Sequence, residues 1–401
     1  MRLAVFVDQI FWRDGKVLST NESYILFPAS FIDEGAEIVF IGREASEPGR
    51  APYVLDHRAI TFLPLPYYPS LYQIWRSVAL FRGKWIESIR QHSRSWDALL
   101  ISGPHPIGQI VARQCRAFGV PIVPIVRQNL VRQMSAHKGI KRLMAMIAAQ
   151  ALERDFRRLA RGRTVFTVGM EMAEEYRRFS DKVHNHFPCL VDEAQFRQFS
   201  AMSAGTDPTR LLCVARLSPD KGHRYLFEAL ELLNLRGLVC HLDIVGDGRL
   251  EQQLKDRVAA LRLGAQVTFH GYVPYGPDLF ALYQRAGALV LPSLTEGFPQ
   301  VINESLCIGI PTIATKVGGI PSFLTGGETA LLVPPEDVPA LAREIERLVR
   351  DGDLRERLRR NGRALMRDNT LEANRARIMG ILHGEVFARS CISTDRPRPV
   401  S

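Results

Sequence analysis

Residues 288–304 read Ala-Leu-Val-Leu-Pro-Ser-Leu-Thr-Glu-Gly-Phe-Pro-Gln-Val-Ile-Asn-Glu. This stretch predicts a buried strand, a loop that carries Glu296, and a helix that opens at Pro299, because the fixed φ of proline suits the first helical position. Glu304 would then lie five residues inside the helix, ~7.5 Å along its axis. Carboxylates accept hydrogen bonds from sugar or ribose hydroxyls, and the free amides of residues 298–301 suit a phosphate. The spacing therefore suggests a nucleotide-sugar site, while two solvated helix glutamates remain the alternative for this pair taken alone.

The same alternation of apolar strands and longer amphipathic segments occurs twice along the chain, which predicts an α/β fold with parallel sheets. The polar stretch at 203–208 separates the two series. We expect two doubly wound Rossmann-like domains that face each other across a cleft, with ligands at the carboxyl ends of the strands. The predicted strands are 2–7, 37–41, 59–63, 97–102, 121–126 and 164–168 in the first series, and 211–215, 241–245, 266–270, 288–291, 311–314 and 330–333 in the second.

The loops of the second series carry the candidate binding groups. Arg216 and Lys221 bracket a helix start after the strand 211–215. Two fixed cations beside free amides can hold a diphosphate and stabilise its charge as a sugar departs, without a metal. Gly246 belongs to a Gly-x-Gly that lacks the third glycine of a dinucleotide fingerprint, which disfavours a dehydrogenase. Gly271, Tyr272 and Val273 follow the next strand and offer backbone groups to a base.

Composition sets the general class of the protein. The chain has 401 residues, 46% of them hydrophobic and 23% charged, which is typical of a globular protein of two or three domains. The six cysteines lack the paired spacing of a zinc or redox site, so no metal site is expected. No apolar run reaches the ~20 residues of a membrane-spanning helix. Asp8 interrupts the apolar N-terminus too early for a secretory signal, so we expect a cytoplasmic protein.

The positive charge is concentrated in one region. Between Leu71 and Arg163 there are 17 Lys and Arg against 4 Asp and Glu, a local charge of +13 in a chain of net charge +10. Aromatic and aliphatic residues recur there at helical spacing, among them Trp75, Phe81 and Trp85, interleaved with basic residues. The pattern is compatible with a helix packed on a sheet, or with one that binds an anionic membrane surface. RNA-binding platform motifs and zinc-finger spacings are absent, so nucleic acid is not expected as a partner.

The ordered motifs of the second series resemble those of glycosyltransferase family 4. They are Val-Ala-Arg216-Leu-Ser-Pro-Asp-Lys221-Gly, Val-Gly246-Asp-Gly, Leu-Pro-Ser-Leu-Thr-Glu296-Gly297-Phe298, Glu304, and Gly-Ile-Pro followed by Val-Gly-Gly-Ile-Pro. The resemblance implies a GT-B architecture, with an acceptor-binding domain at 1–195, a nucleotide-sugar donor domain at 196–370, and a crossover helix and tail at 371–401.

The resemblance also implies a retaining, metal-independent transfer of a sugar from a nucleotide diphosphate sugar, which serves as co-substrate, with no other cofactor. By matching positions, Arg216 and Lys221 hold the diphosphate. Glu296, Gly297 and the amides of Phe298, Gln300 and Val301 meet the sugar, and Glu304 takes the ribose hydroxyls. Together with the basic region, the resemblance favours a glycan or lipid-linked acceptor and a setting in cell-surface polysaccharide or glycolipid assembly. The protein would then bind peripherally to the inner face of the cytoplasmic membrane.

The N-terminal half departs from the family pattern at two places. A Gly-Gly loop usually follows the first strand, whereas this chain has Asp8-Gln9-Ile10-Phe11-Trp12. A histidine usually follows the strand that ends near Val126, whereas this chain has Arg127. Either Arg127 replaces that histidine as a charged donor, or His105 supplies an imidazole from the neighbouring loop. His105 lies between two prolines, so an ordered turn is the alternative reading.

Two further functions fit parts of the sequence. One is a GT-B-like sugar epimerase or phosphorylase, which needs different acid and base groups. The other is a catalytically silent, membrane-associated assembly protein, which the altered segment at Arg127 favours. The complete set of Arg216, Lys221, Glu296 and Glu304 argues against a silent protein.

Overall fold

The structure is a computed structural model that describes residues 1–15, 17–68, 84–127, 130–131, 140–201 and 207–388. The chain forms two compact units, one of Met1–His186 with the C-terminal segment from Asn374, the other of Phe187–Ala373. The second unit thus begins before residue 196, where the sequence analysis placed the boundary. The reason is that the Phe187 ring packs against Phe298 and Phe323 of the second unit.

The first unit is built on a nine-stranded sheet. Its strands are β1 (Arg2–Asp14), β2 (Val17–Thr20), β3 (Glu37–Glu44), β4 (Tyr53–Leu55), β5 (Ile60–Leu65), β6 (Ala98–Gly103), β7 (Ile122–Val126), β8 (Val165–Thr167) and β9 (Val183–Asn185). The parallel strands follow the order β5-β3-β1-β6-β7-β8-β9, and β2 and β4 add an antiparallel extension beside β1. The order reverses between β1 and β6, which is the switch point of a doubly wound sheet.

Helices cover this sheet, so its central strands are buried and nearly continuously apolar. The α-helices of Met1–His186 are α1 (Leu26–Ala29), α2 (Lys84–Ser93), α3 (Pro106–Ala117), α4 (Ile140–Ala160) and α5 (Met170–Arg177). In α2, Ile89 is buried in the core and Trp85 packs against it. The apolar side of this helix therefore faces the core, and the membrane-facing reading is wrong for these two residues. The rest of the predicted basic segment, including Trp75 and Phe81, lies outside the described residues.

The second unit is built on a six-stranded parallel sheet. Its strands are β10 (Arg210–Val214), β11 (His241–Val245), β12 (Val267–Phe269), β13 (Ala288–Leu291), β14 (Thr312–Thr315) and β15 (Leu331–Val333). Their order is β12-β11-β10-β13-β14-β15, so the switch point lies between β10 and β13. The α-helices that start in this unit are α6 (Glu193–Ala201), α7 (His223–Leu235), α8 (Glu251–Ala260), α9 (Pro277–Arg285), α10 (Gln300–Ile308), α11 (Ile320–Phe323), α12 (Val338–Arg350), α13 (Gly352–Arg367) and α14 (Leu371–Ile381).

The chain returns to the first unit within α14, which continues as a π-helical turn at Leu382–Phe387. Arg375 forms ion pairs with Asp33 and Glu34. Glu385 accepts hydrogen bonds from His184 Nε2 and Thr164 Oγ1, each at 2.8 Å. These contacts fasten the C-terminal segment to the first sheet. No helix in the described part of the chain is long and apolar enough to cross a membrane.

All twelve strands predicted from apolar runs are present, with ends shifted by a few residues. The sequence analysis missed the extension of β1 beyond residue 7, the short strands β2 and β4 that pair beside it, and β9. β2, β4 and β9 are only three or four residues long, so none of them forms the longer apolar run that identifies a central strand.

Candidate functional site

Five loops at the carboxyl ends of the second sheet are joined edge to edge by backbone hydrogen bonds. They follow β12, β11, β10, β13 and β14, the order of the strands in the sheet, and we call them the loop platform. Because neighbouring loops share hydrogen bonds, the platform is one continuous backbone surface. The bonds, given as N–H donor to carbonyl acceptor, are Gly246 to Gly271 (2.8 Å), Leu217 to Asp247 (2.7 Å), Leu294 to Asp220 (2.8 Å) and Gly319 to Gly297 (2.7 Å).

Two glycines let these loops approach closely. Gly246 has φ of 136°, and a Cβ there would lie 2.1 Å from the carbonyl oxygen of Ala215. Gly222 has φ of 67°, and a Cβ there would lie 2.1 Å from the carbonyl oxygen of Pro292. Any side chain would clash at both positions. The glycines of the predicted motifs thus fix the packing of the platform.

Lys221 and Glu296 meet at the switch point of the second sheet. The Lys221 Nζ lies 2.7 Å from Glu296 Oε1, and the two side chains are only 12% and 7% exposed. The Ser293 hydroxyl donates to the same oxygen at 2.8 Å. Within the described residues, neither donor reaches Oε2, so this oxygen can accept a hydrogen bond from a ligand. The structure brings together the two residues to which the sequence analysis assigned diphosphate and sugar binding.

Arg216 lies at the end of β10 on the same side of the sheet. Its side chain is exposed, and it has no ion pair within the described residues. Residues Pro219–Lys221 form a 3-10 turn with Ser218 at the N-cap position, and α7 begins only at His223. The helix start predicted between Arg216 and Lys221 is therefore interrupted, because Gly222 adopts a left-handed conformation between the two segments. The interruption places Lys221 against Glu296.

Helix α10 begins one residue later than predicted, because Pro299 is extended at φ −79° and ψ 129° and serves as the N-cap. Its first amides, those of Gln300 and Val301, lie at the positive end of the helix. Glu304 is 5% exposed and accepts a hydrogen bond from the Tyr283 hydroxyl at 2.8 Å. Burial raises the pKa of Glu304 to about 7, an effect that the Tyr283 hydrogen bond partly opposes. This carboxyl is the most strongly desolvated of the candidate groups.

The other predicted sugar-binding residues present mainly backbone. The Gln300 side-chain amide donates to the carbonyl oxygen of Pro188 at 2.6 Å, so that side chain is held by the segment that opens the second unit. The Phe298 ring packs between Phe187 and Phe323, with centroid distances of 4.7 and 4.8 Å. We therefore expect the main-chain amides, and not these side chains, to contact a ligand.

The predicted base-binding loop lies at the β12 end of the platform. Gly271 accepts the hydrogen bond from Gly246 described above, and Val273 packs against the core. The Tyr272 side chain is 47% exposed.

The two alternatives for the missing family histidine lie in the first unit. Arg127 follows β7, is exposed, and places its guanidinium carbon 4.0 Å from the centroid of the Tyr24 ring. His105 is 4% exposed and caps α3, where its Nδ1 accepts from the Gly108 amide at 3.5 Å. Its Nε2 lies 3.3 Å from Asp8 Oδ2. Both imidazole nitrogens thus have partners within the first unit, whereas the Arg127 guanidinium has no ion pair among the described residues.

Asp8 is a residue that the sequence analysis did not select. It lies in the irregular stretch of β1 between Phe6 and Ile10, just past the residues that pair with β6, and it contacts Arg43 and Tyr68 in addition to His105. Burial alone would raise the pKa of Asp8. The interaction with His105, the charge of Arg43 and the Tyr68 hydroxyl outweigh burial and lower that pKa. A charged residue at the end of the first predicted strand was the available signal.

Residues 195–365 match the sequence model of the family glycosyl transferases group 1. The match confirms the recognition made from the motifs. It spans the whole loop platform, from β10 to β15.

Two relatives show how far the likeness extends along the chain. An alpha-D-kanosaminyltransferase from Streptomyces kanamyceticus is 29% identical over 265 residues, which cover 62% of this chain and 67% of that protein. A putative colanic acid biosynthesis glycosyltransferase, WcaL, from Salmonella typhimurium is 31% identical over 158 residues, 38% of each chain. The second alignment leaves most of both proteins unmatched.

Solved structures match nearly the whole chain. Sucrose-phosphate synthase from Thermosynechococcus elongatus superposes with a TM-score of 0.72 at 22% identity, covering 97% of this chain and 99% of that one. HepE of Anabaena, in complex with UDP, superposes with a TM-score of 0.64 at 17% identity, covering 96% and 100%. At such identities the likeness establishes the fold alone. The chain has the GT-B fold with two Rossmann-like sheets, as predicted.

Proposed function

We propose that this protein is a retaining glycosyltransferase that moves a sugar from a nucleotide diphosphate sugar to a glycan or lipid-linked acceptor. The observation that carries the proposal is the Lys221–Glu296 ion pair, which joins the loops after β10 and β13 at the switch point of the second sheet. Ligands of doubly wound sheets bind at this position. The family match over residues 195–365 supports the reaction class.

The roles of the residues follow from their placement. Lys221 has three N–H donors, so it can bind a diphosphate while it remains paired with Glu296. Exposed Arg216 supplies a second cation, and the amides at the start of α10 supply uncharged donors to the same anion. Glu296 Oε2 accepts from a sugar hydroxyl, and Glu304 accepts from the ribose hydroxyls.

In the proposed reaction, the bond between C1 of the sugar and the diphosphate oxygen breaks. The bond from C1 to the acceptor hydroxyl oxygen forms on the same face, and the acceptor proton passes to the departing diphosphate. Lys221 and Arg216 stabilise the negative charge that develops on that leaving group, the task that a metal ion performs in other transferases. In the first unit, we assign the role of the missing family histidine to Arg127, because both ring nitrogens of His105 already have partners.

A panel of nucleotide sugars tests the proposal. The wild-type protein and Lys221→Met are incubated with UDP-, GDP-, ADP- and dTDP-sugars, and the released nucleoside diphosphate is measured. UDP-glucose and UDP-N-acetylglucosamine come first, because HepE, which shares the fold, binds UDP. We expect one donor to be turned over by wild type only, with retention of the anomeric configuration. Binding without turnover of any donor would instead support the silent assembly protein, and conversion of the donor sugar itself would support an epimerase.

For the acceptor we propose a membrane-linked glycan, with peripheral binding to the cytoplasmic face of the membrane. A specific surface in the first unit favours this setting. In α4, Ile147 is 60% exposed, Ala148 and Ala151 are exposed, and Arg154 and Arg158 continue the same side of the helix. An apolar strip that leads into arginines suits an anionic lipid surface.

Vesicle co-sedimentation tests the membrane setting. We expect binding to vesicles with phosphatidylserine that weakens between 50 and 300 mM salt, because the Debye length falls below about 10 Å over this range. Ile147→Glu and the double variant Arg154→Glu, Arg158→Glu should each release the protein. Arg343→Glu, an exposed arginine of the second unit, is the control. Equal binding to neutral and anionic vesicles would contradict the proposal.

A further inference from the structure

We propose that Asp8 is a fixed hydrogen-bond acceptor for a hydroxyl group of a carbohydrate bound by the first unit. The inference rests on the proposed function, in which this unit receives the acceptor glycan. It starts from a cluster of four side chains, Asp8, Arg43, Tyr68 and His105, which we call the Asp8 cluster. Neither the family match nor the motifs of the second unit extend to these residues.

The Asp8 cluster lies at the switch point of the first sheet. Asp8 follows the last residue of β1 that pairs with β6, and His105 lies in the loop that follows β6. Arg43 is next to the end of β3, and Tyr68 follows β5. All four therefore gather at the carboxyl ends of the parallel strands, where doubly wound sheets bind their ligands. The Lys221–Glu296 pair holds the equivalent position in the second sheet.

The donors of the cluster are distributed unevenly over the Asp8 carboxylate. Arg43 Nε lies 3.0 Å from Oδ1, and the Tyr68 hydroxyl donates to the same oxygen. His105 Nδ1 accepts the amide hydrogen of Gly108, so the ring proton is on Nε2, which lies 3.3 Å from Oδ2. Oδ1 thus has a hydrogen bond from Tyr68 and an ion pair with Arg43, whereas Oδ2 has only the contact with His105.

The Asp8 side chain keeps part of its surface exposed beside these partners. The Asp8 side chain is 26% exposed, compared with 12% for Arg43 and 6% for His105. A purely structural ion-pair network would be expected to bury its charged centre beneath its partners, yet here the carboxylate is the most exposed of these three. The partners hold the carboxylate in place while part of its side chain remains accessible.

The ionised carboxylate has acceptor capacity only, so its complement is an O–H or N–H donor. Because Arg43, Tyr68 and His105 hold its pKa low, Asp8 is a weak base at neutral pH. It therefore orients a hydroxyl without removing its proton. A sugar, with several adjacent hydroxyls, is the ligand class that the proposed function places in this unit.

Saturation-transfer NMR with three methyl α-pyranosides, of glucose, mannose and N-acetylglucosamine, tests the inference. We expect at least one to bind the wild-type protein saturably in the millimolar range. Asp8→Asn should weaken that binding about 10-fold, the effect of losing a charge-assisted hydrogen bond. Glu37→Gln, which alters an exposed carboxylate on β3, should leave it unchanged. Tyr68→Phe, which retains Asp8 but frees it to rotate, should weaken binding about 3-fold. This variant replaces Asp8→Asn if the latter does not fold.

The outcomes separate this inference from the proposed function. UDP affinity is measured on the same samples and should be equal in wild type, Asp8→Asn and Tyr68→Phe, since the platform lies in the other unit. If no pyranoside binds wild type, or if the folded Asp8 cluster variants bind as wild type does, Asp8 has no such role. A wild-type protein that does not bind UDP would instead count against the proposed function.

Discussion

Glu304→Gln is the substitution whose effect follows most directly from the geometry of the second unit. The carboxyl is buried, and its pKa is raised to about 7 from an ordinary 4.5. Between these values the folded chain binds more protons than the unfolded chain, so the free energy of unfolding falls as pH rises from about 4.5 to 7. At 1.36 kcal/mol per pKa unit, the raised pKa of Glu304 lowers the free energy of unfolding by about 1 kcal/mol at pH 5 and about 3 kcal/mol at pH 8; we call this loss the penalty. Glutamine removes this penalty and can still accept from Tyr283.

We therefore expect Glu304→Gln to be more stable than wild type in the absence of nucleotide, and more so at high pH. A gain of about 3 kcal/mol corresponds to a rise in melting temperature of roughly 6–12 °C for the second unit. Differential scanning calorimetry at pH 5 and pH 8 measures it. Glu356→Gln, an exposed glutamate of α13, is the matched control, for which the two pH values should agree. A Glu304→Gln variant that is no more stable than wild type at pH 8, or is stabilised equally at both pH values, would refute the reasoning.

Further predictions concern the platform. Arg216→Ala and Lys221→Ala should each lower turnover of the active donor ~10²-fold or more, because stabilisation of the leaving group is lost, whereas Lys255→Ala on α8 should not. Activity should survive dialysis against EDTA, and a loss that magnesium restores would overturn the proposed role of the two cations. In calorimetric titrations, the affinity for UDP-glucose should rise with pH up to about 7 as Glu304 ionises. Glu304→Gln should abolish that pH dependence. Glu296→Gln should lower the rate of transfer more than it lowers the affinity for bare UDP.

The fold was predictable because central strands of parallel sheets are buried on both faces, so each appears as an apolar run such as Leu211–Val214. That the loops of Lys221 and Glu296 lie near each other was predictable from the order of the strands alone. Loops at the carboxyl ends of strands on either side of a switch point border the same crevice, so both residues were expected beside one ligand. The exact contact was not, because it depends on the left-handed turn at Gly222 and its close approach to Pro292.

Two parts of the structure could not be predicted, for different physical reasons. The Asp8 cluster depends on four side chains from separate strands and loops, and no spacing in the sequence records their convergence. The amphipathic pattern at Trp85 and Ile89 fits a core-facing helix and a membrane-facing helix equally well. Only the packing of α2 shows which applies.

Hydrogen–deuterium exchange with and without saturating UDP tests the central claim most directly, because it reports where the nucleotide binds on the chain. We predict slower exchange in the platform loops 216–222 and 271–273 and at the start of α10, at residues 296–301. Lys221→Met should require a higher UDP concentration for the same protection. Protection confined to other segments, or none at UDP concentrations in the millimolar range, would contradict the assignment of the loop platform as the nucleotide-sugar site.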